Sequence, residues 1–124
     1  MKGGDAKLYK SAYKGGEYMN MRDLLLLHID KENDRLNDYG NTLISIRHKN
    51  ASSDYQSNVM FSTLAIEFEN ITEKLNNVNF VVINCINNKE LLRTCVDYIN
   101  EISFMVMNFM LKVENYTNYI KSLN

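Results

Sequence analysis

The side chains best suited to nucleophilic or metal chemistry in this chain are two histidines, His28 and His48, and two cysteines, Cys85 and Cys95. A zinc site needs four such ligands, usually supplied as closely spaced pairs, and these four residues do not form such pairs. A thiol paired with a histidine can act as a nucleophile, but both cysteines fall at apolar positions of a regular repeat, where thiols are buried and unreactive. We therefore expect free buried thiols, no metal and no cofactor.

Arg22 and His28 form a second candidate pair, in the stretch RDLLLLH. Their spacing resembles the Arg-x(4 to 6)-His motif of the HEPN ribonucleases. The resemblance implies an all-α domain that dimerises and brings the arginine and the histidine into a groove, where RNA is cleaved through its 2'-hydroxyl without a metal ion. It covers this one short motif, and it makes a HEPN-like ribonuclease using Arg22 and His28 one alternative function.

Carboxylates are concentrated in the stretch DKENDRLND, residues 30–38. Basic residues alternate with them, which is typical of a solvated helix face rather than of paired catalytic carboxylates. Glu32 differs because it falls within an apolar repeat, so we predict that it fixes the helix register or forms an ion pair with a neighbouring helix. The glycines lack the spacing of a phosphate-binding loop, and no nucleotide site is predicted.

Apolar residues recur at alternating steps of three and four in three separate stretches, which is the period of a helix with one buried stripe. The repeats run from Leu25 to Ile46, from Phe61 to Cys85 and from Leu92 to Leu123. Gly40 lies inside the first repeat, where it would either kink the helix or permit a close crossing by another helix.

Each predicted helix is preceded by residues that can cap it. Asn20 precedes Asp23, while Ser53 with Gln56 and Asn87 with Glu90 match the capping-box pattern. No glycine or proline separates the second and third repeats, so one rod of about 65 residues is a competing shape. We favour a turn near residues 84–88, because capping groups inside a continuous helix would have no free amides to bind.

These patterns predict an all-α fold, an antiparallel bundle of three long helices with coiled-coil-like heptad seams. The 124 residues suit one domain. A basic, tyrosine-rich arm at residues 1–18 precedes the bundle at 19–124, and its lysines and tyrosines suggest a second alternative, binding to nucleic acid or a phosphate surface. The net charge of -1 gives no general attraction to nucleic acid.

The most apolar stretch is ISFMVMNFML, residues 102–111. A helix of ten residues is about 15 Å long, whereas the hydrocarbon core of a membrane is about 30 Å thick, so this stretch is too short to span one. The N-terminus has charges but no apolar leader, and we expect a cytoplasmic protein.

Phe104, Met107 and Leu111 lie opposite the inward-facing repeat of this stretch, so the third helix is apolar on both sides. Phe80 and Ile83 repeat this feature near the end of the second helix. The second apolar side must meet the N-terminal arm, another subunit or a foreign partner. We therefore expect a non-enzymatic protein-protein interaction or assembly module, of the adaptor, export-partner or phage and viral accessory type, with these five residues at the interface.

Overall fold

The computed structural model describes residues 20–50, 54–85 and 88–123. In these ranges it contains three α helices and no strand: α1 at Met21–Lys49, α2 at Tyr55–Asn84 and α3 at Lys89–Ser122. Each helix contacts both of the others. The predicted all-α, three-helix fold is confirmed, while residues 1–18, the predicted arm, lie outside the described residues.

Contacts between side chains show how the helices run. Arg22, near the start of α1, binds a carbonyl near the end of α2, and Arg47, near the end of α1, binds Asn58 near the start of α2. These two helices are therefore antiparallel. His28 of α1 contacts Ser103 of α3, and further along the chain Tyr39 of α1 donates to Glu114 of α3. The second contact lies later in both helices, so α1 and α3 run in the same direction. The bundle is up-down-up, as predicted.

The turn between α2 and α3 is confirmed, and the continuous rod is wrong. Helix α2 ends at Asn84, and the N–H of Cys85 donates to the carbonyl of Val82 at 3.3 Å. Helix α3 begins at Lys89 after its own N-cap. The chain therefore reverses within a few residues, which allows the third repeat to pack beside the second.

The N-cap of α1 is the predicted one, because the Asn20 side chain accepts from the N–H of Asp23 at 2.9 Å. The other two helices begin one residue later than expected. Asp54 caps α2 and Asn88 caps α3, each accepting from the N–H three residues on, at 2.9 Å and 3.0 Å.

The predicted caps at Ser53 and Asn87 are therefore wrong by one position, and both residues lie outside the described ranges. Before both α2 and α3, two adjacent residues have side chains that can cap the helix, Ser53 and Asp54 in one case and Asn87 and Asn88 in the other. Serine, aspartate and asparagine are all favoured at the N-cap. The sequence pattern alone did not distinguish the two neighbours.

The core consists of the three predicted repeats. Tyr39, Ile46, Phe61 and Phe68 are the half-buried members, and Leu123 is exposed because α3 ends before it. Both cysteines are buried, as expected, and burial raises the pKa of the Cys95 thiol. The buried apolar residues are Leu25, Ile29, Leu36, Leu43, Leu64, Ile71, Leu75, Val78, Val82, Cys85, Leu92, Cys95, Ile99, Ile102, Val106, Phe109, Val113, Tyr116 and Ile120.

Gly40 is buried where α1 crosses α2. A Cβ atom built on Gly40 would lie 3.0 Å from Cδ1 of Phe68 and closer still to its Cε1, so only a residue without a side chain fits there. The ring of Phe68 in turn packs 5.9 Å from the ring of Phe109. Of the two roles predicted for Gly40, the close helix crossing is the one observed.

The hydroxyl group of Tyr116 is buried and has no hydrogen-bond partner in the described structure. Its ring is fully buried and lies 6.4 Å from the ring of Phe61. A buried donor left unpaired costs free energy of folding. We therefore expect Tyr116→Phe to raise the free energy of unfolding by about 1 kcal/mol, measured by urea denaturation.

Tyr119→Phe is the matched control for this substitution. The Tyr119 hydroxyl donates to Asp54 at 2.8 Å, and this bond raises the pKa of Tyr119. The same chemical change should therefore lower stability at position 119. Equal effects at the two positions would contradict the unpaired state of Tyr116.

Candidate interaction surface

Helix α3 exposes an apolar stripe on the side facing away from the core. Phe104, Met107 and Leu111 are 69%, 47% and 54% exposed, and we call them the outer stripe. On the opposite side of the same helix, Ile102 and Val106 are completely buried. The run of residues 102–111 is apolar at nearly every position, and a helix has 3.6 residues per turn. Its apolar residues therefore lie both on the buried side and on the exposed side of α3.

Polar residues surround the outer stripe on its own helix. The asparagines among them are Asn100, Asn108, Asn115 and Asn118, and the charged residues are Asp97, Glu101, Lys112 and Glu114, all of them exposed. The apolar surface therefore ends abruptly along α3. An apolar area bounded in this way is typical of an interaction site.

The contacts of α3 show which of its flanks meets each neighbouring helix. Ser103 and Met110, one helical turn from Met107 in either direction, and Glu114, two turns after it, bond to side chains of α1. On the other flank of α3, Lys112 binds a carboxylate of α2 at 3.1 Å. The outer stripe lies between these two flanks, on the side of α3 opposite the core.

Phe80 and Ile83 are also exposed, on the last turns of α2. They share one face of that helix. The five predicted interface residues are thus all exposed and are divided between two helices, two on α2 and three on α3. Their joint role in one interface stays a prediction.

Arg22 and His28 bond to different parts of the bundle. The Nε and Nη2 atoms of Arg22 donate to the carbonyls of Val82 and Ile83 at 3.1 Å and 3.0 Å. These carbonyls lie at the end of α2, where the helix has unpaired acceptors and a partial negative charge. In this chain, Arg22 therefore joins α1 to α2.

His28 belongs to a polar cluster around Glu32, which is only 2% exposed. A Glu32 carboxylate oxygen lies 3.4 Å from His28 Nε2 and 3.3 Å from Arg35 Nη1, and it accepts a 2.9 Å hydrogen bond from the hydroxyl of Ser103. His28 Nε2 also lies 3.0 Å from the same hydroxyl. The cluster surrounds a buried carboxylate with an arginine and a histidine of α1 and one hydroxyl of α3.

Of the two roles predicted for Glu32, an ion pair with a neighbouring helix is not the one observed. Arg35, its ion-pair partner, and His28 are on its own helix, and α3 provides a hydroxyl. The other predicted role, fixing the helix register, stays a prediction. Ser103 was missed because it lies inside an apolar run and has no sequence neighbour that signals its role. Nothing in the heptad pattern relates residue 103 to residue 32.

The described residues contain no group of three or more histidine, cysteine, aspartate or glutamate side chains arranged to hold a metal ion. None of the helices in the described ranges is both long and apolar enough to cross a membrane. Comparisons of the chain with protein-family models, with curated proteins and with solved structures find no significant match.

Proposed function

We propose that this chain is a non-enzymatic interaction module that docks another protein chain on the outer face of α3. The supporting observation is the exposure of Phe104, Met107 and Leu111 on a helix whose opposite side already fills the core. An apolar surface with a polar boundary suits a protein partner, because docking removes the apolar groups from water while the polar groups at the edge stay solvated or find a partner.

The chemistry of the outer stripe also supports this role. Burying a large apolar side chain contributes about 1.5–3 kcal/mol, so three of them supply a large part of the free energy of a specific complex. Aromatic side chains are frequent at the centre of interfaces, where Phe104 would lie. Met107 is flexible and polarisable, which lets it fit an irregular partner surface.

The test compares two disruptive substitutions with a matched one. Phe104→Asp and Leu111→Asp place a charge in the outer stripe, whereas Ile66→Asp places the same charge at an exposed apolar residue of α2. We expect the first two variants to lose at least tenfold in affinity for the partner, equivalent to about 1.4 kcal/mol. Ile66→Asp should bind like the unchanged chain.

Binding is measured by pull-down from the native host and, once the partner is known, by titration calorimetry. Circular dichroism of each variant shows whether the helices persist. If Phe104→Asp and Leu111→Asp unfold the isolated chain, the stripe is a part of the core and the proposal is wrong. Unchanged binding by both folded variants would equally contradict it.

A further inference from the structure

We infer that the occupant of the outer stripe is a second copy of this chain, with the two α3 helices packed antiparallel around a two-fold axis near Met107. This inference rests on the proposed function and specifies its partner. In a two-fold interface, each pair of facing residues occurs twice, so the surface must complement itself. For two antiparallel α3 helices, residues at equal distances on either side of the axis must therefore be able to face each other.

The apolar residues meet this requirement. With the axis at Met107, this side chain faces its own copy across the interface. Phe104 lies three positions before the axis and Leu111 four positions after it, so each lies within one residue of the position that faces the other in the second copy. A phenylalanine opposite a leucine, together with the flexible methionine pair at the axis, fills the centre with apolar groups.

The charges beside the stripe also fit an antiparallel partner. Glu101 and Lys112 are exposed on the same flank of α3, six positions before and five positions after Met107. An antiparallel copy therefore places Glu101 opposite Lys112 at both ends of the contact. A parallel copy would bring opposite flanks of the two helices together, so Glu101 and Lys112 would not face each other.

Lys112 can make this contact without losing its present one. Its ammonium group binds Glu67 of α2 at 3.1 Å, and the side chain is still 54% exposed. An ammonium group has three N–H donors, so a second carboxylate can bind beside the first. On the same face as Met107, Asn100 and Glu114 lie seven positions on either side of the axis, and the amide can donate to the carboxylate.

The size and charge of the chain are compatible with this arrangement. Helix α3 has 34 residues, which corresponds to a length of about 50 Å at 1.5 Å per residue. Such a length gives two helices room for a continuous contact beyond the three apolar residues. The net charge of -1 produces little repulsion between copies.

The first test measures mass in solution by sedimentation equilibrium of the full chain. We expect a dimer at micromolar concentration, a monomer for Phe104→Asp and a dimer for Ile66→Asp. A monomeric unchanged chain overturns the inference, while the proposed function stands if Phe104→Asp still abolishes binding to a different protein. A dimer that survives Phe104→Asp overturns the inference too, because it must use another face.

The second test locates the axis by disulfide cross-linking. Met107→Cys should form a covalent dimer on mild oxidation, whereas Glu73→Cys, at an exposed position of α2, should not. The native cysteines are buried and serve as an unreactive background. For the orientation, Asn100→Cys and Glu114→Cys chains should cross-link to each other when mixed and not to themselves. Self-cross-linking of each, as a parallel pair requires, would overturn the inference.

Discussion

Replacing Gly40 with leucine is expected to destabilise the bundle by about 3 kcal/mol or more, a large part of the stability of a typical small domain. The first carbon of any side chain at this position would lie 3.0 Å from Cδ1 of Phe68 and nearer to its Cε1. The ring of Phe68 packs against the fully buried ring of Phe109, so turning it away from position 40 breaks that contact. Relief of the clash therefore costs either this ring packing or the close approach of α1 and α2.

The measurement is urea denaturation followed by circular dichroism. Asn41→Leu is the control, because it adds the same side chain one position along α1 at an exposed residue. The origin of the effect is tested in a Phe68→Ala background, where the space opposite position 40 is vacant. There, Gly40→Ala should raise stability by about 1 kcal/mol, the difference in helix propensity between the two residues. If Gly40→Leu were as stable as the unchanged chain, the helices could not cross closely at this point.

Gly40 also shows how far the sequence predicts the packing of this fold. Periodicity fixes which side of each helix is buried, since residues three and four apart share a face whatever the neighbour is. It correctly predicted the core of all three helices. It did not identify Phe68 as the residue above Gly40, because that contact depends on the axial position of one helix against another.

The candidate surface was predictable to the same extent. The outer stripe follows from α3 alone, because an apolar run longer than one seam must expose part of itself. Whether the stripe and Phe80 belong to one interface stays a prediction. The sequence alone does not show which flank of α3 meets α1 and which meets α2. Contacts such as those of Ser103 and Lys112 decide this, and they involve residues far apart in the sequence.

In the polar cluster of Glu32, two substitutions of contacting residues are expected to change the free energy of unfolding in different directions. Ser103→Ala should lower the free energy of unfolding by about 1–3 kcal/mol, because the buried carboxylate loses the hydroxyl that donates to it at 2.9 Å. Glu32→Leu should leave stability unchanged or raise it by up to about 2 kcal/mol, since leucine restores the apolar seam and removes the cost of burying a charge.

The expected effect of Glu32→Leu depends on how exposed its former partners, Arg35 and His28, are to water. Arg35 and His28 are both partly exposed, so water can solvate them once the carboxylate is gone. Arg35→Met is different, because it removes a partner at 3.3 Å while the buried charge remains, and it should destabilise the fold. The Glu32–Arg35 ion pair therefore contributes less to stability than the loss caused by Arg35→Met alone would suggest.

A double-mutant cycle measures whether Ser103 acts through Glu32. Urea denaturation of Ser103→Ala, Glu32→Leu and the double variant gives the coupling energy between the two positions. We expect Ser103→Ala to cost almost nothing in the Glu32→Leu background, because the hydroxyl then has no buried carboxylate to satisfy. An equal cost in both backgrounds would mean that Ser103 stabilises α3 by itself. The hydrogen bond from Ser103 to Glu32 would then contribute little to the packing of α1 against α3.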